Sequence, residues 1–220
     1  MNAIDKPIPA RPDLSAVKQR QRTVWSTGDY PAVGTTLQIV GETLAEALDL
    51  APGERVLDVA AGNGNATLAA ARRFCDVVST DYVDAWLRNG MERAEAERLP
   101  VAFREADAEA LPFDDASFDI VTSTFGVMFT ADQEAAAREM SRVCRAGGRI
   151  GMANWTANGF IGQLFKTIGR HVPPPPNVCS PLEWATEARL SQLFSADASD
   201  ISVSMRTFVF RYRSAQDWVD

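Results

Sequence analysis

The feature that most constrains this chain is a regular alternation between short apolar runs and helical segments, which begins at Arg55. Apolar runs at 56–60, 76–80, 101–104, 118–123 and 149–153 alternate with helical stretches at 66–73, 84–98 and 131–145. This rhythm is typical of successive βαβ units, which form a mostly parallel sheet with helices on both faces. It predicts an α/β, Rossmann-like domain.

The segments on either side of this alternation predict a cap and a lid. Residues 1–50 form an N-terminal extension, with prolines at 7, 9 and 12, a cap helix at 14–25 and an amphipathic helix at 36–50 that Pro52-Gly53 ends. Residues 51–220 form the main domain, and 156–195 form a helical lid inserted in it. Within the lid, Ser180, Pro181 and Glu183 predict a capped helix start.

The C-terminal residues predict the end of the sheet. Residues 201–205 and 207–213 alternate between apolar and polar side chains, and we expect two closing strands, antiparallel to one another, in a sheet of seven strands. Ser214 and Asp217 then form a helix-start pattern just before Asp220. Because so short a helix is unstable alone, we expect a truncated chain whose parent continues beyond Asp220.

Charge and composition narrow the class of protein. The chain has 22 Lys and Arg against 29 Asp and Glu, a net charge of -7, which disfavours nucleic acid and anionic surfaces as general partners. No run approaches the ~20 apolar residues of a membrane span, and the N-terminus lacks an apolar signal core, so we expect a cytoplasmic protein without integral membrane contact. Three cysteines without metal-site spacing indicate reduced thiols and no metal site. The oligomeric state stays open between monomer and homodimer.

A glycine-rich turn follows the first strand of the alternation. Asp58 lies inside that strand, and Gly62 and Gly64 follow it before a helix begins. A dinucleotide fingerprint requires a third glycine where Thr67 stands, so the pattern is incomplete. An acid at this place also suits a ligand that carries an ammonium group better than a pyrophosphate. NAD is therefore the weaker interpretation.

Five motifs in order resemble the class I S-adenosylmethionine-dependent methyltransferases, and most of all the branch similar to the ubiquinone/menaquinone-biosynthesis C-methyltransferases. They are VLDVAAGNGN at 56–65, the acid that ends VVSTD at 77–81, EADAEALPF at 105–113, FDIVTSTFG at 118–126 and RVCRAGGR at 142–149. In the last, Ala146 replaces the proline of the family pattern. The resemblance covers residues 55–155 and implies S-adenosylmethionine as cofactor and S-adenosylhomocysteine as product.

The resemblance also implies a role for each site residue. Asp81 accepts hydrogen bonds from the ribose hydroxyls, and Asp107 accepts one from the adenine amino group. The other implied cofactor contacts are Tyr82 on the adenosine, Ala108 through its backbone, Asp58 near the ammonium group, Ala60, Gly62, Asn63 and Gly64 around the methionine part, and Thr124 and Phe125 near the sulfonium. These positions fall at strand carboxyl ends, where open α/β sheets bind ligands.

The reaction that this class performs needs few catalytic side chains. Methyl transfer from a sulfonium is a direct displacement, so the protein mainly aligns the acceptor and excludes water. Tyr30 and His171 are the two candidates for a catalytic role. Aromatic and aliphatic residues near 155–184 predict an apolar wall and hence a small apolar or aromatic acceptor, methylated on C or O: Trp155, Phe160, Ile161, Leu164, Phe165 and Trp184. The residues after 123 contain neither the Asp/Asn-Pro-Pro-Tyr run of DNA amino-methylating enzymes nor the Pro-Cys pair of cytosine-C5 enzymes.

Two alternatives from other classes stay open at this point. A nicotinamide-dependent Rossmann oxidoreductase would share the sheet, although Thr67 interrupts its fingerprint and no Tyr-x-x-x-Lys pair occurs. A non-catalytic module would keep the adenosyl ligand without turnover. Ligand titration followed by a methyl-transfer assay distinguishes all three.

Overall fold

A computed structural model describes residues 14–174 and 178–219 of the chain. The N-terminal prolines and the last prolines of the run at 173–176 lie outside the described residues. Within these ranges the chain forms five strands, namely β1 (Arg55–Val59), β2 (Asp76–Asp81), β3 (Val101–Glu105), β4 (Phe118–Thr124) and β5 (Cys144–Ala153). They form one sheet in the order β3-β2-β1-β4-β5, and every pair is parallel. The predicted α/β Rossmann-like fold is confirmed.

The expectation of seven strands with an antiparallel strand near the C-terminus is wrong for the described part of the chain. Residues 201–213 form no strand there. Alternation alone does not make a strand, because a strand also needs a neighbouring backbone to hydrogen-bond. Instead, the rings of Phe208 and Phe210 pack on Trp155 with centroid distances of 6.4 and 5.6 Å. The apolar positions of this segment serve aromatic packing.

Nine α-helices lie among the described residues. They are α1 (Leu14–Ser26), α2 (Tyr30–Gly34), α3 (Gln38–Ala47), α4 (Asn65–Ala71), α5 (Asp84–Ala96), α6 (Gln133–Val143), α7 (Phe160–His171), α8 (Glu187–Phe194) and α9 (Gln216–Val219). Short 3₁₀ turns occupy Thr35–Leu37, Val127–Phe129 and Pro181–Ala185. The capping box at Ser180 and Glu183 is present, but it opens the last of these 3₁₀ turns, and Thr186 caps α8 separately.

The sheet separates two apolar clusters. Val56 of β1 and Ile120 of β4 belong to one, whereas the next residues along each strand, Leu57 and Val121, belong to the other. All four side chains are completely buried. This follows from the strand geometry, which turns successive side chains to opposite faces. Because β1 and β4 lie at the centre of the sheet, the loops that follow them have a rigid base.

Candidate functional site

The carboxyl ends of β1, β2 and β4 surround a cavity of about 280 Å³. The loops after these strands form its floor, and its wall includes residues of α1, α2, α5 and α7, of the loop after β3 and of the C-terminal segment. Eight of the eleven residues predicted to contact a cofactor line it: Ala60, Gly62, Asp81, Tyr82, Asp107, Ala108, Thr124 and Phe125. The structure thus brings together residues that are far apart in the sequence.

Two of these residues hold the backbone in a conformation that L-residues avoid. Ala60, directly after β1, has φ +51°, and Phe125, directly after β4, has φ +63°. Gly62 also has a positive φ, at +57°, and a Cβ there would lie 3.1 Å from the Tyr30 ring. Strained backbone of this kind persists only where surrounding structure enforces it, and it is concentrated at ligand sites. The loops at the cavity are therefore shaped for close approach to a ligand.

Asp81 ends β2 and is 2% exposed. Its Oδ2 accepts a hydrogen bond from the Gly62 backbone N–H at 2.9 Å, and its Oδ1 accepts one from the Val83 N–H, also at 2.9 Å. Burial raises the pKa of the carboxyl to about 6, and these backbone hydrogen bonds only partly oppose that rise. Each carboxylate oxygen retains a further lone pair. The side chain is therefore anchored and still able to accept hydrogen bonds from a ligand.

Asp107 lies at the same end of the cavity and is paired with a residue of α1. The Lys18 ammonium contacts Asp107 Oδ2 at 2.6 Å and Glu109 Oε2 at 2.7 Å. The other Asp107 oxygen accepts the Glu109 backbone N–H. Lys18, Glu109, Asp81 and Asp107 are the charged residues among the described lining residues. The first two were not predicted from the sequence, because nothing in the local pattern around Lys18 indicates a partner 89 residues away.

Asp58, Asn63 and Gly64 lie behind the cavity wall and do not line it. Asp58 is completely buried, and its carboxylate accepts hydrogen bonds from the Thr67 hydroxyl at 2.6 Å and the Thr122 hydroxyl at 3.1 Å. Burial raises its pKa to about 6. The buried Asn63 side chain packs against Gly34, which ties the glycine turn to the N-terminal segment. These residues shape the turn from beneath.

The opposite end of the cavity is aromatic and uncharged. Phe125 and Trp155 stack face to face, with centroids 4.0 Å apart and planes within 4°. Phe129 and Phe165 meet edge to face at 5.8 Å. Ile161 and Leu164 of α7 complete this part of the wall, together with Phe210 and Trp218. The apolar wall predicted from the sequence is confirmed for four of its six residues, because Phe160 is exposed and Trp184 is completely buried in the core, whereas the rest line the cavity: Trp155, Ile161, Leu164 and Phe165.

The two candidates for a catalytic role have different positions. Tyr30 lines the cavity, and its ring stacks on Trp86 at 4.9 Å. Burial, together with the charge of Asp81, raises the pKa of its phenol to about 12. Trp25 of α1 packs against both rings, so aromatic contacts hold the N-terminal segment over the glycine turn. His171 is exposed at the end of α7 and does not line the cavity.

Comparison with known proteins agrees with this geometry. A family model described as a methyltransferase domain matches residues 57–152. An uncharacterized protein of Mycobacterium tuberculosis is 39% identical over 215 residues, covering 94% of this chain and 77% of the relative. A demethylmenaquinone methyltransferase of Deinococcus radiodurans is 39% identical over 134 residues, covering 59% of this chain and 55% of that protein.

A solved structure shows the same fold. The YcgJ protein from Bacillus subtilis has a TM-score of 0.58 with 23% identity, and the match covers 74% of this chain and 68% of that one. The matched methyltransferase domain and the demethylmenaquinone methyltransferase relatives show that the chain belongs to the class I S-adenosylmethionine-dependent methyltransferases. Within that class it is similar to the demethylmenaquinone methyltransferases, through about half the length of those proteins.

Proposed function

We propose that this chain transfers a methyl group from S-adenosylmethionine to a small apolar or aromatic acceptor, on carbon or oxygen. The observation that carries the proposal is the division of the cavity into an end with charged side chains and an aromatic end without them. The polar adenosine and amino-acid groups of the cofactor suit the charged end, and the uncharged rings of the other end suit an apolar or aromatic acceptor. One site thus suits both reactants.

The charged end suits the adenosine. Asp81, held by the backbone at Gly62 and Val83, is placed to accept hydrogen bonds from ribose hydroxyls. Asp107 is proposed to accept one from the adenine amino group, which would either displace the Lys18 ammonium from the carboxylate or share the carboxylate with it. Tyr82 and Ala108 line the same part of the wall and would contact the adenosine. Asp81 ends β2 and Asp107 lies just after the neighbouring strand β3, which accounts for their position at one end of the cavity.

The methionine part is proposed to lie along the glycine turn. Ala60 and Gly62 leave the backbone accessible there, and Asn63, Gly64 and Asp58 support that backbone from behind. Because the hydroxyls of Thr67 and Thr122 already bond Asp58, its proposed influence on an ammonium group is electrostatic, through the wall.

When bound, S-adenosylmethionine supplies an electrophilic methyl group on a positively charged sulfonium. Thr124, the last residue of β4, and Phe125, which follows it, line the cavity and are proposed to lie near the sulfonium. The faces of Phe125 and Trp155 stabilise positive charge through their ring quadrupoles. They also exclude water and orient a flat acceptor. Tyr30 is proposed to position the reactants, because its ring lines the cavity beside Gly62 and its raised pKa disfavours the phenolate that a base would require.

Calorimetry tests the cofactor, and radiolabelled methyl transfer tests the reaction. S-adenosylhomocysteine should bind more tightly than NAD(H). Labelled methyl from S-adenosylmethionine should appear in one or more members of a panel of phenols, hydroquinones and enolisable diketones. Tighter binding of NAD(H) would favour the oxidoreductase. S-adenosylhomocysteine binding without transfer to any acceptor of this chemistry would favour the non-catalytic module.

A variant pair tests the aromatic end. Trp155→Ala removes the ring that stacks on Phe125 and should lower kcat/KM for the acceptor by tenfold or more, since an aromatic contact and its buried area together contribute about 2 kcal/mol. Its affinity for S-adenosylhomocysteine should change little. Trp184→Phe is the matched control, because Trp184 is a buried aromatic residue outside the cavity. Equal losses in the two variants would assign the effect to stability alone.

A further inference from the structure

The Glu109 carboxylate joins three separate segments of the chain. Glu109 follows β3 in the loop that also carries Asp107, and its side chain is 9% exposed. One oxygen, Oε1, accepts the backbone N–H of Ala131 at 2.8 Å and that of Asp132 at 3.0 Å. The other, Oε2, contacts the Lys18 ammonium of α1 at 2.7 Å. A carboxylate so placed, with three donors, is held in one position and holds its donors in turn.

The two backbone donors lie where the aromatic end of the cavity meets α6. Asp132 is the N-cap of that helix. Phe129 and Thr130, just before the two donors, line the cavity, and the Phe129 ring contacts the Phe165 ring at its aromatic end. Glu109, which belongs to the charged end, therefore anchors a turn of the aromatic end.

The Lys18 ammonium is shared between Asp107 and Glu109, at 2.6 and 2.7 Å. Asp107 is the proposed acceptor of the adenine amino group, so bound cofactor brings a second donor to a carboxylate that Lys18 already contacts. A second donor weakens the attraction of Asp107 for the ammonium, because the two donors compete for the same lone pairs. The ammonium then pairs more closely with Glu109.

Helix α1 reaches both ends of the cavity. Trp25 lies seven residues after Lys18, about two turns further along the helix, and its ring contacts the Phe129 ring at 4.9 Å. No residue of α1 is buried, and no helix of the described residues is long and apolar enough to cross a membrane. The position of α1 therefore depends on its contacts with cavity residues and not on burial in the core.

We propose that Glu109 is a positioning residue that couples the cofactor end of the cavity to the acceptor end. When the adenine amino group binds Asp107, Lys18 pairs more closely with Glu109, and the Glu109 carboxylate holds the start of α6 more firmly. The turn that carries Phe129 is thereby ordered for the acceptor. Binding that orders one site lowers the cost of binding at the other, so the acceptor binds more tightly after the cofactor than before it. This inference rests on the proposed function, because it requires adenosine at Asp107.

Hydrogen exchange of the full chain, with and without S-adenosylhomocysteine, tests the inference without a known acceptor. The reporters are the backbone N–H groups of Phe129 and Thr130, which bond to backbone carbonyls of their own turn and not to Glu109. In the unmodified chain, saturating ligand should slow their exchange about fivefold or more, the lower range of coupling between sites. The ligand should also slow exchange at the glycine turn, residues 60–64, which reports cofactor binding itself. Calorimetry establishes saturation for every variant.

Two substitutions separate coupling from stability. Glu109→Ala removes every acceptor of this side chain, so the response of Phe129 and Thr130 to ligand should be lost while the glycine turn keeps its response. Glu109→Gln keeps an oxygen for the two backbone donors but no charge for Lys18. Its exchange without ligand should resemble that of the unmodified chain, and the response to ligand should again be lost. If Glu109→Ala does not fold, Glu109→Gln decides alone, because a residue that only stabilised the turn would leave the response intact in this variant.

Glu105→Ala is the matched control. Glu105 ends β3, and its carboxylate pairs with Arg22 of α1, whereas the backbone donors of Ala131 and Asp132 bond to the other acid. The substitution therefore removes the same charge and a contact with the same helix. Because this ion pair is exposed, the response of Phe129 to ligand should stay within about twofold of that in the unmodified chain.

Three results would overturn the inference. The first is ligand protection of the glycine turn but not of Phe129 and Thr130 in the unmodified chain. The second is an undiminished response in Glu109→Gln, which would assign the coupling to another route, such as Trp25. The third is an equal loss in Glu105→Ala, which would assign it to α1 as a whole. If S-adenosylhomocysteine does not bind the unmodified chain at all, the proposed function itself is contradicted, and the inference with it.

Discussion

Replacement of Asp81 gives the sharpest test of the cofactor site. The side chain is 2% exposed, and it is proposed to accept hydrogen bonds from two ribose hydroxyls. Hydrogen bonds to a charged group contribute about 1.5–3 kcal/mol each. Asp81→Ala should therefore weaken S-adenosylhomocysteine binding by at least about tenfold. Isothermal titration calorimetry measures this directly.

The same variant should still fold. Asp81→Ala leaves the N–H groups of Gly62 and Val83 without an acceptor, at about 1–3 kcal/mol each. It also removes a carboxylate whose pKa burial raises to about 6 in spite of those hydrogen bonds, so the ionised form is itself disfavoured in the folded chain. The two effects oppose each other, so the free energy of unfolding should change by less than the sum of the lost bonds.

The pH dependence of binding provides an independent check on Asp81. A ribose hydroxyl donates best to the ionised carboxylate, and in the free protein that form declines as pH falls through about 6. Affinity should therefore fall between about pH 7 and pH 5, by up to tenfold per pH unit. Asp81→Asn should bind more weakly and lack this dependence. An unchanged dissociation constant in Asp81→Ala, or an equal pH dependence in Asp81→Asn, would refute the reasoning.

Three further predictions concern the turn, the cap helix and the core acid. Gly62→Ala and Gly53→Ala both force Ala into a left-handed conformation at about 1–2 kcal/mol, but only Gly62→Ala should weaken S-adenosylhomocysteine binding, because a Cβ at Gly53 meets open space. Lys18→Ala should change the free energy of unfolding by less than about 1 kcal/mol, since the ion pair is partly exposed, yet speed hydrogen exchange in α1 and not in α3. Between about pH 4 and pH 6 the folded chain holds the proton of the Asp58 carboxyl more tightly than the unfolded chain does, so the unmodified chain should lose stability as pH rises. Asp58→Asn has no such proton, so its free energy of unfolding should rise relative to that of the unmodified chain over the same range. Parallel stability curves would contradict the buried charge.

The start and end of α6 show where local patterns mislead. By local pattern, Thr130 with Gln133 three residues later predicts a capped start, and Gly147-Gly148 predicts the end. In the structure Asp132 is the N-cap and accepts the Ala135 N–H at 2.8 Å, while the Thr130 hydroxyl donates to the Val127 carbonyl of the preceding turn. The helix ends at Val143, and both glycines lie in β5. Competing local hydrogen bonds decided the start, and sheet pairing decided the end.

Parts of the prediction remain untested by the structure. The division at residue 50, the lid at 156–195, the cytoplasmic location and the roles of the individual site residues stay predictions. The structure does place Gly34 against Asn63 and bonds its carbonyl to the Asn65 side chain at 2.7 Å. The N-terminal segment is therefore packed directly on the glycine turn.

The sequence by itself determined the α/β class and the order of the elements, because both follow from local periodicity. It also determined that the acids lie at strand ends, since parallel strands present their carboxyl ends together. The family motifs pointed to Asp81 and Asp107 among these acids. Tertiary structure alone decided that Lys18 meets Asp107 and that Trp155 stacks on Phe125. It also decided that residues 201–213 pack as an aromatic segment and form no strand. Contacts between distant segments depend on which surfaces meet after folding, and no local pattern records that choice.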